Sequence, residues 1–172
     1  MVVMRPAAPT DDHFLEQMLA VAADWRPGAV RRPLESVLAD PALAHYVAGW
    51  PRPGDFGVVA EDAQGEPIGA AWCRCFPATD PGYGFVVPDV PEVSVGVVAA
   101  ARGGGVGRAL MVRVIEDATA RGIDQLSLSV EVDNFARHLY ADLGFEVVAE
   151  ADGAVTMRKV LTGPRPDSDQ RS

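Results

Sequence analysis

Three features of the chain carry residue types that can do chemistry: a glycine-rich turn, a tyrosine in a later helix and a glutamate at the start of a strand. The turn is the run Arg102-Gly103-Gly104-Gly105-Val106-Gly107-Arg108, which follows the β-branched pair Val97-Val98 and opens an apolar helical stretch. Glycine permits tight or left-handed backbone geometry, and the first N–H groups of a helix have no partner within that helix. Such groups can bind an anion such as a pyrophosphate.

The residues that end this turn restrict the kind of phosphate loop it can be. A nucleoside-triphosphatase loop ends in Gly-Lys-Ser/Thr, whereas this turn ends in Gly107-Arg108-Ala109. The glycine spacing of a dinucleotide-binding fingerprint is also missing. What remains is the pattern Arg-x-x-Gly-x-Gly, formed by Arg102, Gly105 and Gly107. Alone, this pattern is also compatible with a flexible turn before an ordinary helix.

A second motif lies downstream, where a predicted strand at 126–130 precedes the helical pattern Asn134-x-x-Ala-x-x-Leu-Tyr-x-x-Leu-Gly-Phe145. The two motifs together resemble those of the GCN5-related N-acetyltransferase (GNAT) family, strongly from Glu92 to Phe145 and loosely elsewhere. The resemblance implies a single-domain α/β fold. Its mixed, mostly antiparallel sheet would have six to seven strands, splayed between strands 4 and 5 and flanked by about four helices. Acetyl-coenzyme A (acetyl-CoA) is the expected cosubstrate, lying in the splay.

The resemblance also implies roles for residues around this cosubstrate. The backbone of Val95 and Val97 would pair with the pantetheine amides like an added strand. The Asn134 side chain would meet the pantetheine arm, although helix capping alone also explains an asparagine there. Tyr140 takes the position of the family's general acid, with simple core packing as the alternative. Phosphates would be bound by the segment that comprises Arg102, Gly103, Gly104, Gly105, Val106, Gly107 and Arg108, through its N–H groups and the two arginine charges.

Glu92 is the candidate general base, because of the alternation along its strand. In the run 92–97, the three valines share one face and suit a core, which leaves Glu92, Ser94 and Gly96 on the other face. Acetyl transfer to an amine requires removal of an amine proton. A carboxylate in a half-buried cleft can have its pKa raised toward the working pH, or it can pass the proton through a water. A glutamate that faces solvent at the start of a strand is the alternative.

Length and composition fit one globular domain. The chain has 172 residues, of which 48% are hydrophobic and 23% charged, which suffices to bury a core. We assign residues 1–161 to the acetyltransferase domain and residues 162–172 to a mobile tail. No stretch approaches the roughly 20 apolar residues of a membrane helix, and the first residues lack the pattern of a signal peptide. We therefore expect a cytoplasmic protein that does not act on membranes.

The net charge and the number of potential metal-binding residues limit the partners expected for this chain. The net charge of −9 argues against nucleic acid as a partner, since phosphate backbones are bound by clustered Lys and Arg. Cys73, Cys75 and the three histidines are too few and too scattered for a metal site, so no metal is expected. His13, His45 and His138 are predicted to be surface residues. The family resemblance implies a possible homodimer, and no residue pattern in the chain adds to this expectation.

The predicted activity is therefore acetyl transfer from acetyl-CoA to a primary amine of a small molecule or peptide, by direct attack in a ternary complex. A non-catalytic acyl-CoA sensor is the alternative function. The identity of the acceptor stays open, because the aromatic residues that would line its pocket suit core packing equally well; they are Trp25, Trp72, Phe76, Tyr83 and Phe85.

The predicted order of elements is β-α-α-β-β-β-α-β-α-β-β. Helical stretches are predicted after Thr10 and through Leu34, Val37 and Leu38, and Asp40-Pro41 can start another turn through Leu43, Tyr46 and Val47. Pro77–Pro91 is too rich in proline for a regular element. The remaining predicted elements are the strands Val2–Arg5, Phe56–Glu61, Ile68–Phe76, Glu92–Val98, Gln125–Val130, Phe145–Glu150 and Ala154–Leu161, and the helices Gly105–Arg121 and Asn134–Leu143.

Overall fold

The computed structural model describes residues 1–161, and the tail assigned to 162–172 lies outside these residues. The strands are β1 (Val3–Pro6), β2 (Phe56–Glu61), β3 (Pro67–Arg74), β4 (Glu92–Val97), β5 (Gln125–Glu131), β6 (Glu146–Ala151) and β7 (Ala154–Val160). The helices are α1 (Asp12–Ala23), α2 (Leu34–Leu38), α3 (Pro41–Ala44), α4 (Val106–Ala120) and α5 (Ala136–Asp142). Short 3₁₀ turns lie at Pro9–Asp11 and Ala99–Ala101. The predicted strands and helices are confirmed, with ends that shift by one or two residues.

The seven strands form one sheet in the order β1-β2-β3-β4-β5-β7-β6. Its pairs are antiparallel except for β4 and β5, which are parallel and have a single register pair, Glu92 with Ser127. There the Ser127 N–H donates to the Pro91 carbonyl at 3.0 Å. Beyond this pair the two strands separate. The predicted mixed sheet and its splay between strands 4 and 5 are therefore confirmed.

Each face of the sheet carries its own hydrophobic cluster. On one face α4 buries Leu110, Met111 and Val114, because its apolar positions recur at helical spacing. On the other face lies α1, and here Gly96 of β4 has a specific role. A Cβ atom at Gly96 would lie 2.5 Å from the Met18 carbonyl oxygen, so only glycine allows the backbone of α1 to approach the strand this closely. This contact fixes α1 beside the splayed edge.

The α1 face also decides between alternatives left open by the sequence. Trp72 is fully buried and Phe76 nearly so, and both belong to the cluster packed around α1. These two aromatics are therefore core residues and do not line an acceptor pocket. The expectation that His45 is a surface residue is wrong, because its ring packs against Tyr46 and Phe76 and is only 7% exposed.

The segment between β3 and β4 has no regular helix or strand, as its prolines predict. It is nevertheless attached to α3 and its flank at defined points. The His45 Nδ1 atom lies 3.0 Å from the Asp80 carboxylate, and the Tyr83 N–H donates to the Tyr46 hydroxyl at 2.7 Å. These contacts place the segment over the start of β4, where Glu92 lies.

Candidate active site

The separation of β4 and β5 opens a cavity of about 830 Å³ between the two halves of the sheet. The elements around it are α1, β4, the start of α4, β5, α5 and the β6–β7 hairpin. Seven of the predicted catalytic and cofactor-binding residues line this cavity, namely Glu92, Val95, Val97, Arg102, Gly107, Asn134 and Tyr140, together with two of the candidate acceptor aromatics, Trp25 and Tyr83. The fold thus brings the two sequence motifs and the candidate base to one place.

The edge of β4 that faces the cavity carries backbone groups that are not paired with another strand. The Val98 N–H donates to Ile68 of the β3 side at 2.9 Å, whereas the Pro91 carbonyl accepts from Ser127 on the β5 side. Backbone groups of alternate residues in a strand point to opposite edges. The N–H and carbonyl groups of Val95 and Val97 therefore point into the gap between β4 and β5. This edge can accept an extended, amide-bearing chain as an added strand.

The start of α4 presents a row of free amides. Within residues 1–161, the N–H groups of the six residues from Gly103 to Arg108 have no hydrogen-bond partner, and the first helical bond runs from the Ala109 N–H to the Gly105 carbonyl at 3.0 Å. Gly103 and Gly105 have φ values of 79° and 83°, a backbone conformation that glycine adopts without strain. The side chain of Val106 is buried, so this residue offers its N–H alone.

The two arginines of the turn have different surroundings. The Arg102 Nε atom donates to the Val97 carbonyl at 3.3 Å, which holds its guanidinium beside the β4 edge and the cavity. Arg108 instead points along the helix surface, where its guanidinium lies 3.2 Å from the exposed Asp142 carboxylate of α5. Arg102 is therefore the better placed of the two to add positive charge at the cavity.

Tyr140 and Asn134 border the cavity from α5 and the turn before it. The Tyr140 side chain is 7% exposed, and its hydroxyl has no hydrogen-bond partner among the described residues. Burial raises the pKa of Tyr140 to about 12. The Asn134 Oδ1 atom accepts a hydrogen bond from the Ala136 N–H at 2.9 Å, so the asparagine does cap the helix start while it lines the cavity.

Glu92 is buried, with 3% of its surface exposed, which excludes the alternative of a solvent-facing glutamate. Its Oε1 atom accepts two hydrogen bonds, from the Tyr46 hydroxyl at 2.6 Å and from the Gly84 N–H at 2.8 Å. Its Oε2 atom is buried and has no partner among the described residues. Burial raises the pKa of Glu92 to about 7, although the two hydrogen bonds oppose the shift. A carboxyl group with this pKa exchanges protons near neutral pH.

The residues that hold Glu92 were not identified as functional from the sequence. Tyr46 reads as one apolar position in a short helical stretch, and it lies 46 positions before Glu92. Gly82 and Gly84 lie in a segment whose irregular sequence indicates only a loop. The spacing Gly82-Tyr83-Gly84 does indicate a close contact of the backbone, because glycine allows other atoms to approach the main chain. Nothing in that spacing, however, indicates what is approached.

The far side of the cavity is lined by side chains of another kind. Carboxylates are contributed by Asp40, Glu131 and Asp152, and aromatic surface by Trp25 and Tyr83. Arg32 also lines this wall. Its guanidinium is paired with the Asp24 carboxylate at 2.8 Å, which raises the pKa of Arg32. The wall is therefore predominantly acidic.

The loop after α1 is joined to the end of β5 beside this acidic wall. The Trp25 Nε1 atom donates to the Glu131 carboxylate at 2.8 Å. Arg26 donates to Glu131 at 3.0 Å and to Asp133 at 2.5 Å, and its guanidinium lies 4.8 Å from the centre of the Trp25 ring. These charged side chains are about half exposed, so the link is one that solvent can weaken.

Residues 1–161 contain no group of three or more His, Cys, Asp or Glu side chains arranged to hold a metal ion. Among the described helices, none combines the length and the apolar character needed to cross a membrane.

The fold and this cavity define a class of protein, and comparison with known families agrees. Residues 15–145 match the Acetyltransferase (GNAT) family, so the chain belongs to this family, as its two motifs predict. Members of the family use acetyl-CoA. A mycothiol acetyltransferase of Amycolatopsis mediterranei is 34% identical over 137 residues, which are 78% of this chain but 42% of that protein. The chain thus spans less than half the length of this relative.

Solved structures show the same fold. The ribosomal-protein-alanine N-acetyltransferase from Brucella melitensis superposes with a TM-score of 0.66 at 27% identity, covering 92% of this chain and 99% of that one. A phosphinothricin acetyltransferase from Sinorhizobium meliloti, determined with acetyl-CoA, superposes with a TM-score of 0.68 at 21% identity and covers 99% of each chain. At 21% identity, the similarity to the phosphinothricin acetyltransferase shows a shared fold alone.

Proposed function

We propose that this chain transfers the acetyl group of acetyl-CoA to a primary amine by direct attack in a ternary complex. The observation that carries the proposal is that Glu92 and Tyr140 line one cavity, beside a free strand edge and a row of free amides. A base whose pKa lies near neutrality and an acid whose pKa is raised are the two proton-transfer groups that this reaction needs.

The residues around the cavity fit acetyl-CoA as the donor substrate. The backbone groups of Val95 and the N–H of Val97 offer partners to the pantetheine amides. The free N–H groups from Gly103 to Arg108 suit the pyrophosphate, because they combine unpaired donors with the positive end of the α4 dipole. Arg102 adds a positive charge between these two regions, and Asn134 borders the same path.

The proposed reaction uses Glu92 as the base and Tyr140 as the acid. Glu92 takes a proton from the acceptor ammonium group, which leaves a neutral amine. The amine nitrogen attacks the thioester carbonyl carbon, so that a C–N bond forms and the C–S bond then breaks. Tyr140 donates its hydroxyl proton to the departing sulfur and recovers a proton from the nitrogen. Free coenzyme A and an amide are the products, and Glu92 returns its proton to solvent.

The acidic far wall favours an acceptor that carries positive charge. Asp40, Glu131 and Asp152 line the cavity; Glu131 is paired with Arg26, and the guanidinium of Arg32 is paired with Asp24. A cationic amine gains from these carboxylates both in its approach and in its orientation. The activity named for the mycothiol acetyltransferase relative is the second candidate, supported by the 34% identity.

The test is release of coenzyme A thiol from acetyl-CoA across polyamines, amino acids, aminoglycosides, arylamines, short peptides and the acceptor of mycothiol acetylation. Tyr140→Phe is measured alongside, because it removes the hydroxyl and keeps the ring. We expect one acceptor class to be active, with a fall in kcat of about 100-fold in the variant and unchanged calorimetric affinity for acetyl-CoA. Acetyl-CoA binding without thiol release from any acceptor would favour the sensor alternative.

A further inference from the structure

We propose that Tyr46 is a positioning residue for Glu92: its hydroxyl binds Oε1 and thereby leaves Oε2 as the atom at which Glu92 is protonated. The inference rests on the proposed function, since it concerns the same base. The two hydrogen bonds at the Tyr46 hydroxyl have defined directions. The Tyr83 N–H points at the Tyr46 oxygen at 2.7 Å, so the hydroxyl hydrogen of Tyr46 is free to donate to Oε1 at 2.6 Å.

The two carboxylate oxygens of Glu92 are thereby made unequal. Oε1 accepts from both Tyr46 and the Gly84 N–H, at 2.6 and 2.8 Å. Oε2 is buried and has no partner among the described residues. A proton added to Oε1 would displace one of two donors, whereas a proton added to Oε2 displaces none. The contacts of Tyr46 therefore select the oxygen at which Glu92 is protonated.

Tyr46 is itself held in place from several sides. Its carbonyl accepts from the Trp72 indole N–H at 3.0 Å. The Arg74 guanidinium donates to the carbonyls of His45 and Ala48, each at 2.8 Å, and is paired with the Asp55 carboxylate at 2.7 Å. The backbone on both sides of Tyr46 is thus bound to the β3 side of the sheet. A side chain on so constrained a backbone can orient its partner precisely enough to matter for proton transfer.

The turn Gly82-Tyr83-Gly84 completes the arrangement. A Cβ atom at Gly82 would overlap Oε2 of Glu92, and one at Gly84 would lie 2.5 Å from the Leu128 carbonyl carbon and 2.9 Å from Oε1. The bare backbone of this turn therefore fills the point where β4 and β5 separate. It covers the carboxylate on this side and so contributes to the burial that raises the pKa of Glu92.

The other titratable groups around Glu92 are engaged elsewhere. Arg74 is its register partner on β3, but the guanidinium is paired with Asp55. Next to α3, His45 lies against Asp80 of the covering segment. On β5 the register partner is the neutral Ser127, and the side chain of Tyr83 is largely exposed. Tyr46 is thus the titratable side chain that hydrogen-bonds to Glu92.

The test is the Tyr46→Phe variant, with the Glu92 carboxyl titrated by ¹³C NMR and assigned through Glu92→Gln. Loss of a hydrogen bond to the charged form raises a carboxyl pKa, so we expect the midpoint to rise by about one pH unit. The acid limb of kcat/KM should move equally, which lowers kcat/KM about tenfold at pH 6 and leaves it within about twofold at pH 9. Placing 3-fluorotyrosine at position 46 strengthens the donor and should move the midpoint down.

Trp50→Phe is the matched control. Trp50 belongs to the same hydrophobic cluster as Tyr46 and donates one hydrogen bond, to the Ala8 carbonyl at 3.1 Å. Loss of this hydrogen bond should leave the titration midpoint of Glu92 unchanged. A uniform decrease in activity with an unmoved midpoint in both Tyr46 proteins would overturn the positioning role. A moved NMR midpoint without a pH-dependent kcat/KM would support that role and contradict Glu92 as the base of the proposed reaction.

Discussion

The two sides of the cavity offer different kinds of group to the ligands proposed for them. The donor side, formed by the β4 edge and the start of α4, offers mainly backbone groups, such as those of Val95 and the amides from Gly103 to Arg108. The acceptor side offers side chains, among them Glu92 with Tyr46, and the carboxylates of Asp40 and Glu131. Backbone recognition depends on chain conformation, so it survives changes of side chain. Side-chain recognition depends on the residues themselves.

This difference explains why the family motifs concern one side of the cavity. A glycine in the left-handed region, such as Gly105 at φ 83°, is required by geometry and leaves a visible pattern in the sequence. The acceptor wall is assembled from α1, the segment before β4, β5 and the β6–β7 hairpin, and no local pattern links these segments. The donor can therefore be inferred from the family, whereas the acceptor must be measured.

The largest expected effect is on the acceptor side, where Glu92→Gln removes the base and keeps its shape. We expect kcat to fall by about 1,000-fold, measured by thiol release with an active acceptor. Calorimetric affinity for acetyl-CoA should stay the same, because the donor side is untouched. A variant that retained kcat would show that another group or a water takes the proton.

On the donor side, Gly105→Glu should weaken acetyl-CoA binding by about 100-fold or more in calorimetry, because a carboxylate would face the phosphates among the free amides. Gly105→Ala is the matched control. It imposes the same positive φ on a side chain, at a cost of about 1–2 kcal/mol in stability, without the charge. Equal losses of affinity in the two variants would mean that backbone strain, and not anion recognition, explains the result.

The buried carboxyl of Glu92 should also make folding stability depend on pH. Its pKa in the folded protein, about 7, is above the ordinary value of 4.5, so the folded state favours the protonated form and stability is lost as the pH rises between these values. From pH 5 to pH 8 the wild type should lose about 2–3 kcal/mol relative to Glu92→Gln. Urea unfolding of both proteins at each pH measures this difference, and parallel curves would contradict it.

The smallest effects distinguish the two arginines of the donor side. Arg102→Ala should weaken acetyl-CoA binding about tenfold, because its guanidinium lies beside the cavity and the Val97 carbonyl. Arg108→Ala should change the affinity by less than about threefold and the stability by less than about 0.5 kcal/mol, because its ion pair with Asp142 is exposed. Calorimetry at low and high salt tests both, and the reverse order of effects would show that Arg108 reaches the phosphates.

Local patterns predicted most of the framework correctly. The β2 bounds at Phe56–Glu61 agree residue for residue, and α4 differs by one residue at each end from the prediction. The valine alternation of β4 correctly placed Val93 in the core and Glu92 on the opposite face. Periodicities of this kind depend on neighbours in the sequence, which is why they can be seen without the fold.

Where the outcome depended on contacts between distant segments, the sequence was wrong or left alternatives open. The expectation for His45 was wrong, because its ring is buried against two aromatic rings, and the open choice for Trp72 and Phe76 fell to the core. The phosphate-binding role of Arg108 stays a prediction, although its guanidinium lies beside Asp142. In each case the residue type suits two environments, and the decision between them depends on a partner far along the chain.

The sequence by itself determined the family, the order of the elements, the glycine turn at the start of α4 and the candidate acid and base. These follow from short-range regularities, because a left-handed glycine, a helix start or an alternating strand is specified within a few residues. The tertiary structure alone decided the state of Glu92. Its burial, its free Oε2 and its contacts with Tyr46 and Gly84 arise where three separate segments meet. A pKa is set by such surroundings, and they exist only in the folded chain.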